Sequence, residues 1–198
     1  DKGYINAINN YGSMLYTGRG ISKNEEEACR YYKIAVDKGN INAMYNYGMM
    51  LETGRGIMKN EEEASRYYKM AADKGQINAM NKYGNMLSEG RGISQNEEEA
   101  CRYYKMAADK GNINAMYNYG LMLVTGRRIM KNEEEACRYF KMAADKGYID
   151  AIIWYGNMLY VGRGILKNEE EACRYYKMAA DKGNIKAKNK YTQMISRF

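Results

Sequence analysis

Arg19-Gly-Ile-Ser-Lys-Asn-Glu-Glu-Glu-Ala-Cys-Arg-Tyr-Tyr-Lys33, RGISKNEEEACRYYK in one-letter code, returns at Arg55, Arg91, Arg127 and Arg163 with few changes. Around it, Asp-Lys-Gly recurs at residues 1, 37, 73, 109, 145 and 181, a strict 36-residue period. Five full units and an eighteen-residue half unit fill the 198 residues and leave room for nothing else. A period of this size marks a solenoid, in which each unit buries its apolar face on its neighbours.

The quoted stretch starts a helix. Asn24 is a good N-cap, and Glu25, Glu26 and Glu27 occupy the first turn, where the helix dipole favours negative charge. Glu27 is placed to reach back to the cap, as in a capping box. Ala28, Tyr31, Tyr32 and Ala35 then fall at i, i+3, i+4 and i+7, an apolar stripe. This second helix of the unit, helix B, is expected over residues 25–38 and ends at Gly39. The first, helix A, is expected over residues 5–17, followed by a loop from Gly18 to Lys23. Gly3 reads as a helix C′ residue.

Composition narrows the function classes. Proline is absent, which suits uninterrupted helices, and no apolar run reaches membrane-spanning length. The chain lacks an initiator methionine and Asp1 sits in the phase of the later repeats, so it reads as a piece of a longer protein. The net charge of +7 is uneven: the five units carry +1, 0, 0, +2 and 0, and the last eighteen residues carry +4. That is a basic C-terminal end rather than a basic face. Histidine is absent, which removes imidazole bases, Cys–His and Ser–His pairs and most zinc sites.

Cys29, Cys101, Cys137 and Cys173 share one repeat phase, with Ser65 in the fifth copy. Stacked helices would hold these thiols about 8–10 Å apart, beyond disulfide reach. They read as small packed side chains in a reducing, cytoplasmic setting. Three adjacent glutamates point about 100° apart on a helix and do not converge on one cation. No G-x-x-x-x-G-K-S/T loop is present, so neither an enzyme nor a cofactor is expected.

The residues Ala7, Tyr11, Gly12, Leu15, Gly18, Gly20 and Ile21, then Asn24, Ala28, Tyr31, Tyr32, Ala35 and Gly39, resemble the Sel1-like repeat, a relative of the tetratricopeptide repeats. A 36-residue period fits it better than the tetratricopeptide unit of about 34 residues. The resemblance covers the whole chain and implies a single all-α domain over residues 1–198, a right-handed superhelical solenoid of helical hairpins. It also implies a scaffold that assembles protein complexes. Two departures stand out. Arg128 replaces the second loop glycine, and Thr192 with Lys186, Lys188 and Lys190 gives the half unit a solvated, cap-like character.

The copies differ mainly in helix A. In first-unit numbering, positions 5, 7, 8, 11, 12, 14 and 15 are nearly constant, while 6, 9, 10, 13, 16 and 17 vary. At about 100° per residue the variable set shares one sector of about 120°, which in related repeats lines the concave wall. Some of this stripe, such as Asn9, Asn46, Asn81 and Asn85, reads as ordinary surface. The candidate partner-binding residues are the large ones, Tyr45, Met49, Tyr117, Leu121, Val124, Ile153, Trp154, Asn157 and Tyr160.

The expected function is a protein-interaction scaffold that takes a protein or peptide segment in this groove. Single-stranded RNA binding is the alternative, weakened by the scarcity of stripe cations. A further alternative is the non-catalytic repeat region of a larger, for example kinase-containing, protein. Self-association through the solenoid ends is also expected of uncovered apolar faces.

Overall fold

The computed structural model describes residues 2–126 and 129–196. Among the described residues the chain forms eleven α-helices and no strand. Helices A are α1 (Lys2–Thr17), α3 (Ile41–Thr53), α5 (Ile77–Glu89), α7 (Ile113–Thr125), α9 (Ile149–Val161) and α11 (Ile185–Ile195). Helices B are α2 (Glu25–Asp37), α4 (Glu61–Asp73), α6 (Glu97–Asp109), α8 (Glu133–Asp145) and α10 (Glu169–Asp181). The chain divides into two compact units, Asp1–Tyr103 and Tyr104–Phe198, the boundary falling inside α6.

The punctuation acts much as the sequence predicts. Asn24 accepts a hydrogen bond from the Glu27 N–H at 3.0 Å. Glu27 does reach back, but to the Asn24 side-chain amide at 3.2 Å. The Asn24 backbone N–H, which a capping box would use, already donates to the Leu15 carbonyl at 2.9 Å. The same bond recurs from Asn60 to Leu51 and from Asn168 to Leu159, pinning each loop to its own helix A.

Gly39 closes α2 in a Schellman motif. With φ +83°, its N–H donates to Val36, and the next N–H, of Asn40, donates to Ala35. Asn40 then caps α3 through the Ala43 N–H at 2.8 Å, so two residues end one helix and begin the next. Gly3 does not play this part, since α1 already runs through it.

Each hairpin is closed by an edge-to-face tyrosine pair, for example Tyr47–Tyr67 at 4.9 Å and Tyr155–Tyr175 at 4.7 Å. The constant glycine of helix A serves the second aromatic of helix B. A Cβ on Gly48 would stand 3.0 Å from the Tyr68 ring, and one on Gly120 would stand 2.8 Å from Phe140. The close approach to that glycine therefore comes from helix B of the same unit. Thr192, at the equivalent position, is exposed.

Consecutive units meet through the second loop glycine. The Gly56 backbone lies against the first turn of α2, where a Cβ would come within 2.2 Å of the Glu25 carbonyl oxygen. Arg128 occupies this position in the fourth unit and lies outside the described residues.

The thiols of Cys29 and Cys137 are buried, and burial pushes them up to about 11. Tyr11 is 39% exposed, whereas Tyr47, Tyr83, Tyr119 and Tyr155 at the same phase are buried. Among the described residues no helix is long and apolar enough to cross a membrane.

Candidate functional site

The stripe of variable positions is less open than the sequence predicts. Asn9 and Asn81 are each 8% exposed, so they are buried rather than ordinary surface. The Asn46 amide donates to the Asn9 carbonyl oxygen at 3.0 Å, and Asn40 donates to Asn6 at 2.9 Å. α1 and α3 thus touch along this row, and buried amides there need partners.

A second part of the stripe is governed by helix B. The Tyr32 hydroxyl donates to Ser13 at 3.2 Å, Tyr68 donates to Glu52 at 2.7 Å, and Tyr176 donates to Asn157 at 2.8 Å. Each hydroxyl enters a packed interface and finds a polar group on its own helix A. In the fourth unit the ring is Phe140, and the two helix A positions that elsewhere meet the hydroxyl are Leu121 and Val124.

Leu121 and Val124 therefore match a ring without a hydroxyl. Val124, expected on an exposed wall, is 7% exposed and part of the core. Asn157, also expected to face a partner, is held by Tyr176 and by Lys190, whose ammonium donates to its carbonyl oxygen at 2.5 Å. Phe140→Tyr should lower stability by about 2 kcal/mol through an unsatisfied hydroxyl, and Leu121→Asn should recover most of it. Urea titrations of the single and double variants check this. Equal midpoints for wild type and Phe140→Tyr would remove the explanation.

In the first compact unit, Tyr45 leans over Tyr68 at 5.8 Å and Met49 is half-buried. Beside them Glu52, with its side chain 9% exposed, takes Lys82 and Arg91 at 3.0 Å each as well as the Tyr68 hydroxyl. Tyr16 accepts from Arg55 at 2.6 Å, so this position of the stripe also joins one unit to the next.

The second compact unit holds the more open site. Trp154 stacks on Phe140 at 5.4 Å with 12° between the planes. Tyr117 stands 5.9 Å from Phe140 and 5.1 Å from Tyr148. Two of these rings, Tyr117 and Trp154, line a cavity of about 440 Å³ together with Ile153, Ile185, the Gly183–Asn184 turn, and two residues of opposite charge, Asp150 and Lys186. Burial and the Asp150 charge push the Tyr117 phenol up, against a hydrogen bond from Trp154, so it stays neutral. The phenol and indole faces, the branched aliphatic groups and one charge of each sign suit an apolar side chain and its polar flanks.

Three sequence candidates, Tyr117, Ile153 and Trp154, thus share one cavity, and Tyr160 is half-buried on the same α9. Asp150, Ile185 and Lys186 were not anticipated. Ile185 sits at a constant apolar position that reads as scaffold, yet it is 73% exposed. Asp150 and Lys186 do carry a signal, because that position is asparagine in each of the first four units.

The Sel1 repeat family model matches residues 5–40, 41–76, 77–112, 113–148 and 149–184. A Sel1 repeat protein from Oxalobacter formigenes is similar at 32% identity and TM-score 0.84, over 92% of this chain and 75% of that one. A protective antigen of uropathogenic Escherichia coli displaying an SLR fold is similar at 23% identity and TM-score 0.95. That match covers 99% of this chain, which spans only 42% of the antigen. Helicobacter pylori cysteine rich protein B is similar at 22% identity and TM-score 0.52, over 66% of this chain and 94% of that one. No curated protein matches.

Proposed function

Since the chain belongs to the Sel1 repeat family, whose members are generally non-catalytic protein-interaction scaffolds, we propose that it binds a segment of a partner protein against its helices A, anchored at the Tyr117–Trp154 cavity. The observation that carries this reading is the 440 Å³ cavity, lined by the Tyr117 and Trp154 rings and by an exposed isoleucine. A large apolar side chain seated on Trp154 and Tyr117 would exclude water from rigid aromatic surface, which is how interface anchors contribute most of their energy. The partner's backbone would find donors and acceptors in Asn184 and the polar residues around it. Tyr45 and Met49 would serve as a separate, weaker contact on the first compact unit.

Two variants test the site. Trp154→Ala should weaken partner binding by about 2 kcal/mol or more, roughly thirtyfold. Because Trp154 also stacks on Phe140, this variant needs a companion that spares the core. Ile185→Ser removes an exposed side chain from the cavity and should cost about tenfold with no change in urea midpoint. Unaltered affinity in both variants, for a partner recovered with the wild type, rules the cavity out as the docking site.

A further inference from the structure

We infer that the segment received at this cavity is acidic, with an apolar anchor flanked by carboxylates. The inference rests on the docking reading above and adds the partner's chemistry to it. The charge of the chain is divided unequally between its two compact units. Residues 1–103 hold fourteen cations and fourteen acids, while residues 104–198 hold seventeen cations and ten acids. The whole net charge of +7 therefore belongs to the unit that contains the cavity.

Part of that charge lies at the cavity itself. Lys186 lines it, and Lys182 precedes the lining residue Gly183. Both lysines are exposed, and neither belongs to any of the ion pairs seen among the described residues. The one acid in the lining is Asp150. Elsewhere in the unit the cations are partly consumed: Lys131 and Lys167 pair with the glutamates that open α8 and α10, and Arg163 pairs with Glu133. Next to the apolar wall, α11 carries three exposed lysines, Lys186, Lys188 and Lys190, and no acid. Such an arrangement raises the local concentration of an anionic segment and speeds its encounter, while the cavity holds the anchor.

An acidic peptide fits better than a nucleic acid. The half-buried indole of Trp154 and the Tyr117 ring form one aromatic anchor at this cavity, whereas single-stranded nucleic acids are held on successive stacking platforms in a continuous basic groove.

Trp154 is the sole tryptophan, so its emission reports on the cavity directly. The full chain is titrated with three tryptophan-free 15-residue peptides sharing one central leucine, with flanks of aspartate and glutamate, of glutamine and serine, or of lysine. A 12-nucleotide oligouridine is the fourth probe. The acidic peptide should move Trp154 emission and bind at least about tenfold tighter than the neutral one at low salt, with the margin shrinking at high salt. Lys182→Glu with Lys186→Glu should abolish that margin without changing the urea midpoint.

Equal affinity for acidic and neutral peptides overturns the charge preference and leaves the docking site standing. Acidic-peptide binding that leaves Trp154 emission unmoved overturns the site as well. Tighter binding of the oligouridine than of any peptide overturns the inference in favour of nucleic acid. Binding by none of the four at millimolar concentration also overturns it.

Discussion

Gly56→Ala, Gly92→Ala and Gly164→Ala are each expected to destabilise the chain by about 3 kcal/mol, and Gly20→Ala by only about 1 kcal/mol. All four glycines have positive φ, between +64° and +79°, where any L side chain is strained. Only the first three lie against a preceding unit. A Cβ at Gly56, Gly92 or Gly164 would come within 2.2 Å of the carbonyl oxygen of Glu25, Glu61 or Glu133. These oxygens belong to the opening turns of helices, so nothing flexible can move aside and the units must separate. At Gly20 the nearest atom is the end of the Met14 side chain at 3.6 Å, and only the backbone strain remains. Urea midpoints followed by circular dichroism check the series, with Trp154 emission as a local probe for Gly164→Ala. The same shift at Gly20 and Gly56 would show that contact between units is not what requires glycine.

Glu52→Val is expected to cost about 3 kcal/mol, and adding Tyr68→Phe should return most of the loss. The single change strands the Tyr68 hydroxyl in a packed interface and removes the acceptor shared by Lys82 and Arg91. Both cations remain about one-third exposed and can turn to water, so the hydroxyl dominates. The double variant reproduces what the fourth unit already contains, Val124 and Phe140 at the same two positions. A double variant no better than the single would refute the pairing.

The Glu52 carboxyl also sets a pH dependence. Burial alone would raise it, but hydrogen bonds from Tyr68, Lys82 and Arg91 outweigh burial and hold it below its ordinary value of 4.5. A group whose folded pKa is depressed stabilises the fold above its unfolded pKa and loses that effect as pH falls through the folded one. Wild-type stability should therefore fall more steeply below pH 4.5 than that of Glu52→Val with Tyr68→Phe. Parallel curves for the two proteins would exclude Glu52 as the source.

Much of the fold was legible because the chain repeats itself. Asn24 and Gly39 announce the ends of α2, and their copies announce the same ends elsewhere, so one reading is checked several times along a single chain. The details that escaped are those in which one backbone group has two suitors. Glu27 meets the Asn24 side chain because the Asn24 N–H is already bound to Leu15.

The site was only half legible. Sorting helix A by angle separated constant from variable positions, but variation does not distinguish a residue that meets a partner from one that meets its own helix B. Val124 and Asn157 belong to the second kind, and Trp154 does both, stacking on Phe140 while it lines the cavity.

The 36-residue period and the capping asparagines were determined by the sequence alone, because the repeat is visible in the chain itself and a cap depends on contacts within a few residues. Which side chains line the cavity was decided only by tertiary structure. Tyr117, Trp154 and Ile185 come from three successive helices A, and their meeting depends on how far each unit shifts and turns against the last. That displacement is the sum of many packing contacts between helices, such as Gly164 against Glu133. No single residue encodes it.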